Sequence, residues 1–228
     1  ADIADLDTIR PAFQGRDTVV HLGADPRFGA SWDSVLRNNI IATYNVIEAS
    51  REAAVRRIVF ASSINAILGY DQEDPVPWDS PVFPINVYGA TKCFGEALGR
   101  AYAHQHGLSC ICVRIGGAAW KQVPDRVPAR REAGITARDQ AQLFARCLEA
   151  PAEVGFKIVH GTSNHTEQWM DLEVSRELGY EPEDDSEVKF AHHIKGFVTG
   201  EGATVGGGRV GERGYFIEPT VLVNTNQS

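Results

Sequence analysis

Tyr88 and Lys92 stand four residues apart in INVYGATKCFGE, residues 85–96. Residues i and i+4 share one face of a helix, so a phenol and an ammonium would lie one turn apart on the same side. A nearby ammonium favours phenolate and lowers a tyrosine pKa from its ordinary value of about 10. A phenol tuned in this way can take a proton from a substrate hydroxyl, or return one, near neutral pH. Ser63 is the candidate for holding the substrate oxygen, because it ends the apolar run RRIVFASS, residues 56–63. A Tyr-x-x-x-Lys pair alone is common in helices that do no chemistry. Its weight comes from the order: buried strand, Ser62-Ser63, a loop, the pair at the start of a helix, then another buried strand.

The elements that must position these groups alternate along the chain. DTVVHLGA (17–24), RRIVFASS (56–63), LSCICVRIG (108–116) and GFKIVHG (155–161) read as strands buried on both faces, being short continuous apolar runs between turn residues. Helices are expected between and after them. The first covers 31–53, with Ser31 as its cap and Val35, Ile40, Tyr44 and Ile47 at helical spacing. The second runs from the cap Asn86 to the stop Gly107. A third spans 136–150, capped by Thr136 and ended before Pro151, and a fourth spans 166–179. The β-α-β rhythm implies an α/β fold, a Rossmann-like parallel sheet with helices on both faces. Such sheets bind ligands at the C-terminal ends of their strands. Here those ends are Gly23–Ala24, Ser62–Ser63 and Ile115–Gly116, all small or hydroxylated apart from Ile115.

Composition narrows the function. The 228 residues carry a net charge of −8 and are 43% apolar, enough for a substantial core. No basic run balances the acidic excess, which argues against a nucleic-acid surface. The apolar runs are far shorter than a membrane span. Cys93, Cys110, Cys112 and Cys147 form no CxxC pair and read as reduced thiols of a cytoplasmic protein. His104/His106 and His192/His193 lack partners at ligand spacing, read as surface histidines, and no metal site is expected. The chain opens ADIADLD, acidic and without an initiator Met, which leaves residues upstream of Ala1 open.

VVHLGA, NNIIATYNVIEAS, RIVFASS, VYGATKCFGE and VRIG, in this order, are similar to blocks of the extended short-chain dehydrogenase/reductases, also called NAD-dependent epimerase/dehydratases. The resemblance covers residues 1–195. FASS, YGATKCFGE, VRIG and GYEPEDDSE look most like uronate dehydrogenases and related sugar dehydrogenases. It implies Tyr88 as general base, Lys92 as its tuner and a ribose ligand, Ser63 as the substrate-oxygen ligand and Asn39 as a structural or relay asparagine. It implies NAD as cofactor, with NADP open. Asp2 and Ile3 would meet the adenine, Leu22, Gly23 and Ala24 would line the cofactor's path, and Ala61 and Ile115 would lie near the nicotinamide. The implied partner is a small sugar substrate, and the implied assembly is a homodimer pairing the helices at 31–53 and 86–106 across a twofold axis.

The sequence departs from that pattern in three places. The resemblance starts near the family's third strand, so the N-terminal βαβ unit with its Gly-rich phosphate loop is absent from these residues. The formal GxGxxG at 206–211 is no substitute, since Gly214 and Pro219 follow where a helix should open. Next, the uronate enzymes carry SSNH where this chain has SSIN, so Ile64 replaces a polar group and Asn65 is left as the candidate substrate ligand. The family's carboxylate-binding arginine maps to Arg130 or Arg131, beside Trp120 and Lys121 in the same substrate-facing segment. Finally, residues 196–228 form a Gly-rich and then strand-like tail, and EGATVGGGRVGERGYFIEPTV (201–221) resembles an aldehyde dehydrogenase segment without that family's cysteine or glutamate. TVVHL would then be an exposed apolar sheet edge, to be covered by upstream residues, another subunit or the tail strand, though Pro219 weakens the last.

The leading expectation is an NAD-dependent oxidoreductase of a sugar or sugar acid. A nucleotide-sugar epimerase or dehydratase is the alternative within the class. A catalytically inactive binding or scaffold protein on the same frame is the alternative outside it. No GxSxG elbow supports a serine hydrolase.

Overall fold

The computed structural model describes residues 1–27, 29–71, 75–118, 133–165, 168–185 and 221–223. Helix α1 (Leu6–Phe13) leads to strand β1 (Thr18–His21). A helical stretch follows as α2 (Trp32–Val35), a π turn (Leu36–Ile41) and α3 (Ala42–Glu52). Then come β2 (Arg57–Ser63), a 3-10 turn (Ile64–Ala66), α4 (Val87–His106) and β3 (Ser109–Ile115). The remaining elements are β4 (Gly117–Ala118), β5 (Gly134–Ile135), α5 (Ala137–Glu149), β6 (Phe156–Gly161), α6 (Glu173–Glu177) and β7 (Val221–Val223).

The main sheet has the order β6-β3-β2-β1-β7, with every neighbour parallel except β7, which is antiparallel to β1. The four expected buried strands are the four parallel ones. Their residues alternate between two cores, as a pleated strand requires. Ile58, Phe60, Cys110 and Cys112 face α1, α3 and α4, packing with Phe13, Val46, Ile47 and Tyr102. Val59, Ala61, Ile111 and Val113 face the other way, onto Leu143 and Phe144 of α5 and Val174 of α6. Arg57 lies fully buried at the N-terminal end of β2 and donates to the carbonyls of Ala150 (2.5 Å) and Pro151 (2.6 Å), placing a cation at the C-terminus of α5.

Three details differ from expectation. Helix α1 has no counterpart among the expected elements, although Asp5 caps it through the Thr8 N–H and Ile9 and Phe13 fall on its buried side. The helix expected over 166–179 is only α6. Met170 instead bridges to Val76 in extended fashion, and Trp169 is fully buried with its Nε1–H donating to the Asp71 carbonyl (3.0 Å). The helix expected over 31–53 contains a π turn. Its one extra residue rotates α3 about the helix axis, so Ala42, Thr43, Val46 and Ile47 face the core while Tyr44 faces outward. At the sheet edge, β7 pairs Val221–Val223 with Val20–Thr18, so a piece of the tail lies on TVVHL. The GxGxxG stretch and most of the aldehyde-dehydrogenase-like segment lie outside the described residues, as do Trp120, Lys121, Arg130 and Arg131.

Candidate active site

The site lies at the C-terminal end of β2, where α4 begins. Asn86 caps α4, its Oδ1 accepting from the Gly89 N–H (2.7 Å). Tyr88 and Lys92 therefore sit in the first two turns, on the side that meets β2. Ser63 ends β2 and is nearly buried, and its Oγ accepts from the Asn65 backbone N–H (3.1 Å) and from Asn65 Nδ2 (3.0 Å). The Ser63 hydroxyl is near enough to the Tyr88 phenol to favour its phenolate form. Burial works the other way and dominates, pushing the Tyr88 pKa up to about 12.

Lys92 is buried. Its Nζ donates to the Ala61 carbonyl (2.7 Å) and lies 5.0 Å from the Phe60 ring centroid and 5.5 Å from that of Tyr88. Burial lowers its pKa to about 8, with Glu96 pulling it back up. The expected lowering of the Tyr88 pKa by the ammonium is not found: burial raises it and only Ser63 opposes, while Lys92 is engaged with a carbonyl and a second ring. Behind Lys92, Glu96 and Arg114 form a buried bidentate pair at 3.0 Å for each contact, and Ser62 Oγ donates to the same carboxylate (2.6 Å). His21, fully buried on β1, tilts over Phe60 and is held neutral by burial and by the Lys92 charge.

Asn39 occupies the π turn and is buried. Its Oδ1 accepts from the Asp25 N–H (2.7 Å), and its Nδ2 donates to the Asp25 carbonyl (3.2 Å) and to Thr91 Oγ1 (3.1 Å). The Thr91 hydroxyl donates in turn to the Tyr88 carbonyl (2.7 Å). Asn39 thus ties the loop after β1 to the turn of α4 that carries Tyr88. Asp25 is anchored by Arg27 (2.6 and 2.9 Å), which holds its carboxyl far below the usual range.

Of the residues singled out from sequence, Ser63, Tyr88, Lys92 and Ala61 come together directly, and Asn39 joins them through Thr91. Leu22, Gly23 and Ala24 follow β1 on the neighbouring rim, and Ile115 ends β3 beside Ser63 in register. Ile3 packs over Gly23, where an added Cβ would stand 2.6 Å from Ile3 Cδ1. Asp2 is exposed and paired with Arg37. Asn65 turns its amide to Ser63 and Asn86, and Arg130 lies outside the described residues. Sequence reasoning does not single out Thr91, Asn86, Asp25 or the Glu96–Arg114 pair for the site. A glutamate one turn beyond Lys92 on the same helix face is the available signal for Glu96.

Comparison with known proteins agrees with this geometry. The NAD dependent epimerase/dehydratase family matches residues 1–119. An NAD-dependent glucose-6-phosphate dehydrogenase of Haloferax volcanii is 35% identical over 199 residues, covering 82% of this chain and 75% of that protein. A uronate dehydrogenase of Pseudomonas putida is 32% identical over 187 residues, covering 82% and 68%. Among solved structures, the uronate dehydrogenase from Agrobacterium tumefaciens superposes with a TM-score of 0.74 at 33% identity, covering 85% of this chain and 71% of that one.

Proposed function

The chain belongs to the NAD-dependent epimerase/dehydratase family, and from that premise we propose that it is an NAD-dependent dehydrogenase of a sugar or sugar acid. The observation that carries the reading is the meeting of Ser63, Tyr88 and Lys92 at the open end of β2. The dehydrogenases among the relatives, at 32–35% identity, favour oxidation over epimerisation.

The residues at hand suit a dinucleotide. Gly23, Ala24 and Ala61 keep the strand ends bare, and a Cβ on Gly23 would have to displace the tip of the Ile3 side chain. Asp2 and Ile3 would hold the adenine end, Leu22, Gly23 and Ala24 the middle, Ala61 and Ile115 the nicotinamide end, and Lys92 the ribose. A bound nicotinamide would supply the acceptor for the hydride of the sugar carbon. Tyr88 takes the hydroxyl proton of that carbon. Ser63 donates to the same oxygen, whose charge grows as the proton leaves. Lys92 supports the phenolate form of Tyr88 from one helical turn away. Asn39 holds the Tyr88 turn against the β1 loop. Arg130 is proposed for the substrate on the resemblance alone, whereas the Asn65 amide is already taken up by Ser63 and Asn86.

The same reading carries a homodimer, with Trp32, Ile41 and Tyr44 exposed along the helix that would pair across the axis. Sedimentation equilibrium giving only monomer removes that part. It also carries a cytoplasmic location, which suits four free cysteines. No described helix is long and apolar enough to cross a membrane. The test is an NAD titration followed by NADH production from a uronate, glucose 6-phosphate and L-arabinose. Saturable binding with turnover of one of them supports the proposal. Failure to bind NAD supports an inactive frame, and binding without turnover of any free sugar supports a nucleotide-sugar epimerase.

A further inference from the structure

The Ser63 hydroxyl is the end of a directed chain of hydrogen bonds that begins at a backbone amide. The Gly89 N–H lies at the N-terminus of α4 and can only donate, so the atom of Asn86 it meets at 2.7 Å is the carbonyl Oδ1. The other end of the Asn86 amide is therefore NH2, and it donates to Asn65 Oδ1 (2.8 Å). That fixes the Asn65 amide as well: its Nδ2 must point to Ser63 Oγ, where it donates at 3.0 Å. The Asn65 backbone N–H donates to the same oxygen at 3.1 Å. A serine oxygen has two lone pairs, and two N–H groups occupy them. Its one proton is left to be given away. The chain is packed into place: a Cβ on Gly89 would fall 2.3 Å from the Asn65 carbonyl oxygen, so only a glycine lets α4 approach this closely.

We propose that Asn86 and Asn65 are positioning residues that fix the polarity of Ser63, making it an obligate donor to the Tyr88 oxygen or to the substrate oxygen that replaces it. The proposal deepens the dehydrogenase reading and rests on it for its catalytic consequence. The polarity itself concerns the free protein. The charged group beside the phenol is Lys92 from its own helix, 5.5 Å from the ring centroid, and around Lys92 lie Glu96, itself paired with Arg114, and neutral His21 from β1. The Lys92 Nζ donates to the Ala61 carbonyl.

The decisive variant is Asn86→Asp. A carboxylate still accepts from the Gly89 N–H, so α4 keeps its cap, but it cannot donate. The Asn65 amide then turns over and presents Oδ1 to Ser63, which donates there and deserts Tyr88. The chain with fluorinated tyrosine, whose more acidic phenol titrates while the fold persists, reports this by 19F NMR without cofactor or turnover. The Tyr88 pKa is expected to rise in Asn86→Asp by about one unit, a tenfold loss of phenolate at fixed pH. The double variant Asn86→Asp/Asn65→Ala keeps the new charge but removes the side chain that relays it. Tyr88 should then return to within a few tenths of its position in Asn65→Ala. In turnover, Asn86→Asp should lower kcat about tenfold with the sugar KM unchanged, and the double variant should recover most of it. An unchanged titration in Asn86→Asp, or a shift that persists in the double variant, overturns the proposal. A rise in sugar KM alone on Asn65→Ala would instead place Asn65 on the substrate and overturn its positioning role. Because the titration needs no turnover, a chain inactive on every sugar would defeat the functional reading and leave the polarity result standing.

Discussion

Two buried histidines set the acid limit of this fold. His21 and His160 are fully buried and held neutral, burial having lowered each pKa to about 3. In the unfolded chain they take up protons as pH falls through about 6.5. Their contribution to stability is therefore complete above that value and is lost progressively as pH drops toward 3. Between pH 6.5 and 5, above the ordinary carboxylate range, the unfolding free energy should fall with a slope approaching about 1.4 kcal/mol per pH unit for each histidine. Denaturant titrations at a series of pH values read this slope, and His160→Asn should reduce it by about half. A free energy that stays flat from pH 7 to 5 contradicts the assignment. His21 is legible as a buried residue from its place inside VVHL, but its partner Thr43, 3.2 Å from Nε2, is not. That contact depends on the π turn, which no apolar period announces.

Helix α4 is the element that converts sequence into site. Its buried side carries Gly89, Lys92, Gly95, Glu96 and Gly99, and the glycines let it press onto β2 and β3. At Gly95 a Cβ would stand 2.3 Å from the Phe60 ring, the ring over which Lys92 Nζ sits. Gly95→Ala should thus lift α4 from the sheet. We expect a loss of about 1–3 kcal/mol, seen as a melting temperature lower by several degrees, together with a fall in kcat, since Tyr88 and Lys92 move with the helix. Unchanged melting and unchanged turnover would show that the helix has slack there. The start and stop of α4 are legible in Asn86 and Gly107, and the latter adopts φ +68° as a left-handed cap. The four parallel strands are legible as apolar runs. The helix expected at 166–179 fails because the adjacent apolar residues Trp169 and Met170 suit a buried extended pair as well as a helix, and pattern alone does not separate the two. The ties between elements, such as Asn39–Thr91 and the Asn86–Asn65–Ser63 chain, depend on positions reached only after folding and leave no local signature.

At the scale of the whole molecule, the question is what completes the sheet and whether the site works. β7 lies antiparallel on β1, at the edge that TVVHL would otherwise expose. Deleting residues 221–228 should speed amide exchange along β1 and promote self-association, while exchange in β3 and β6 stays unchanged. Equal β1 protection with and without those residues would show that β7 does not guard the edge. Whether the Tyr88 phenol moves the substrate proton is read from turnover. The initial rate of NADH formation from a uronate should be compared for the chain and for Tyr88→Phe, with NAD binding followed in parallel. Both proteins should bind NAD saturably, and the rate in Tyr88→Phe should be lower by about 10²–10⁴-fold. NAD bound equally by both with equal rates would contradict it, because the phenol would then move no proton.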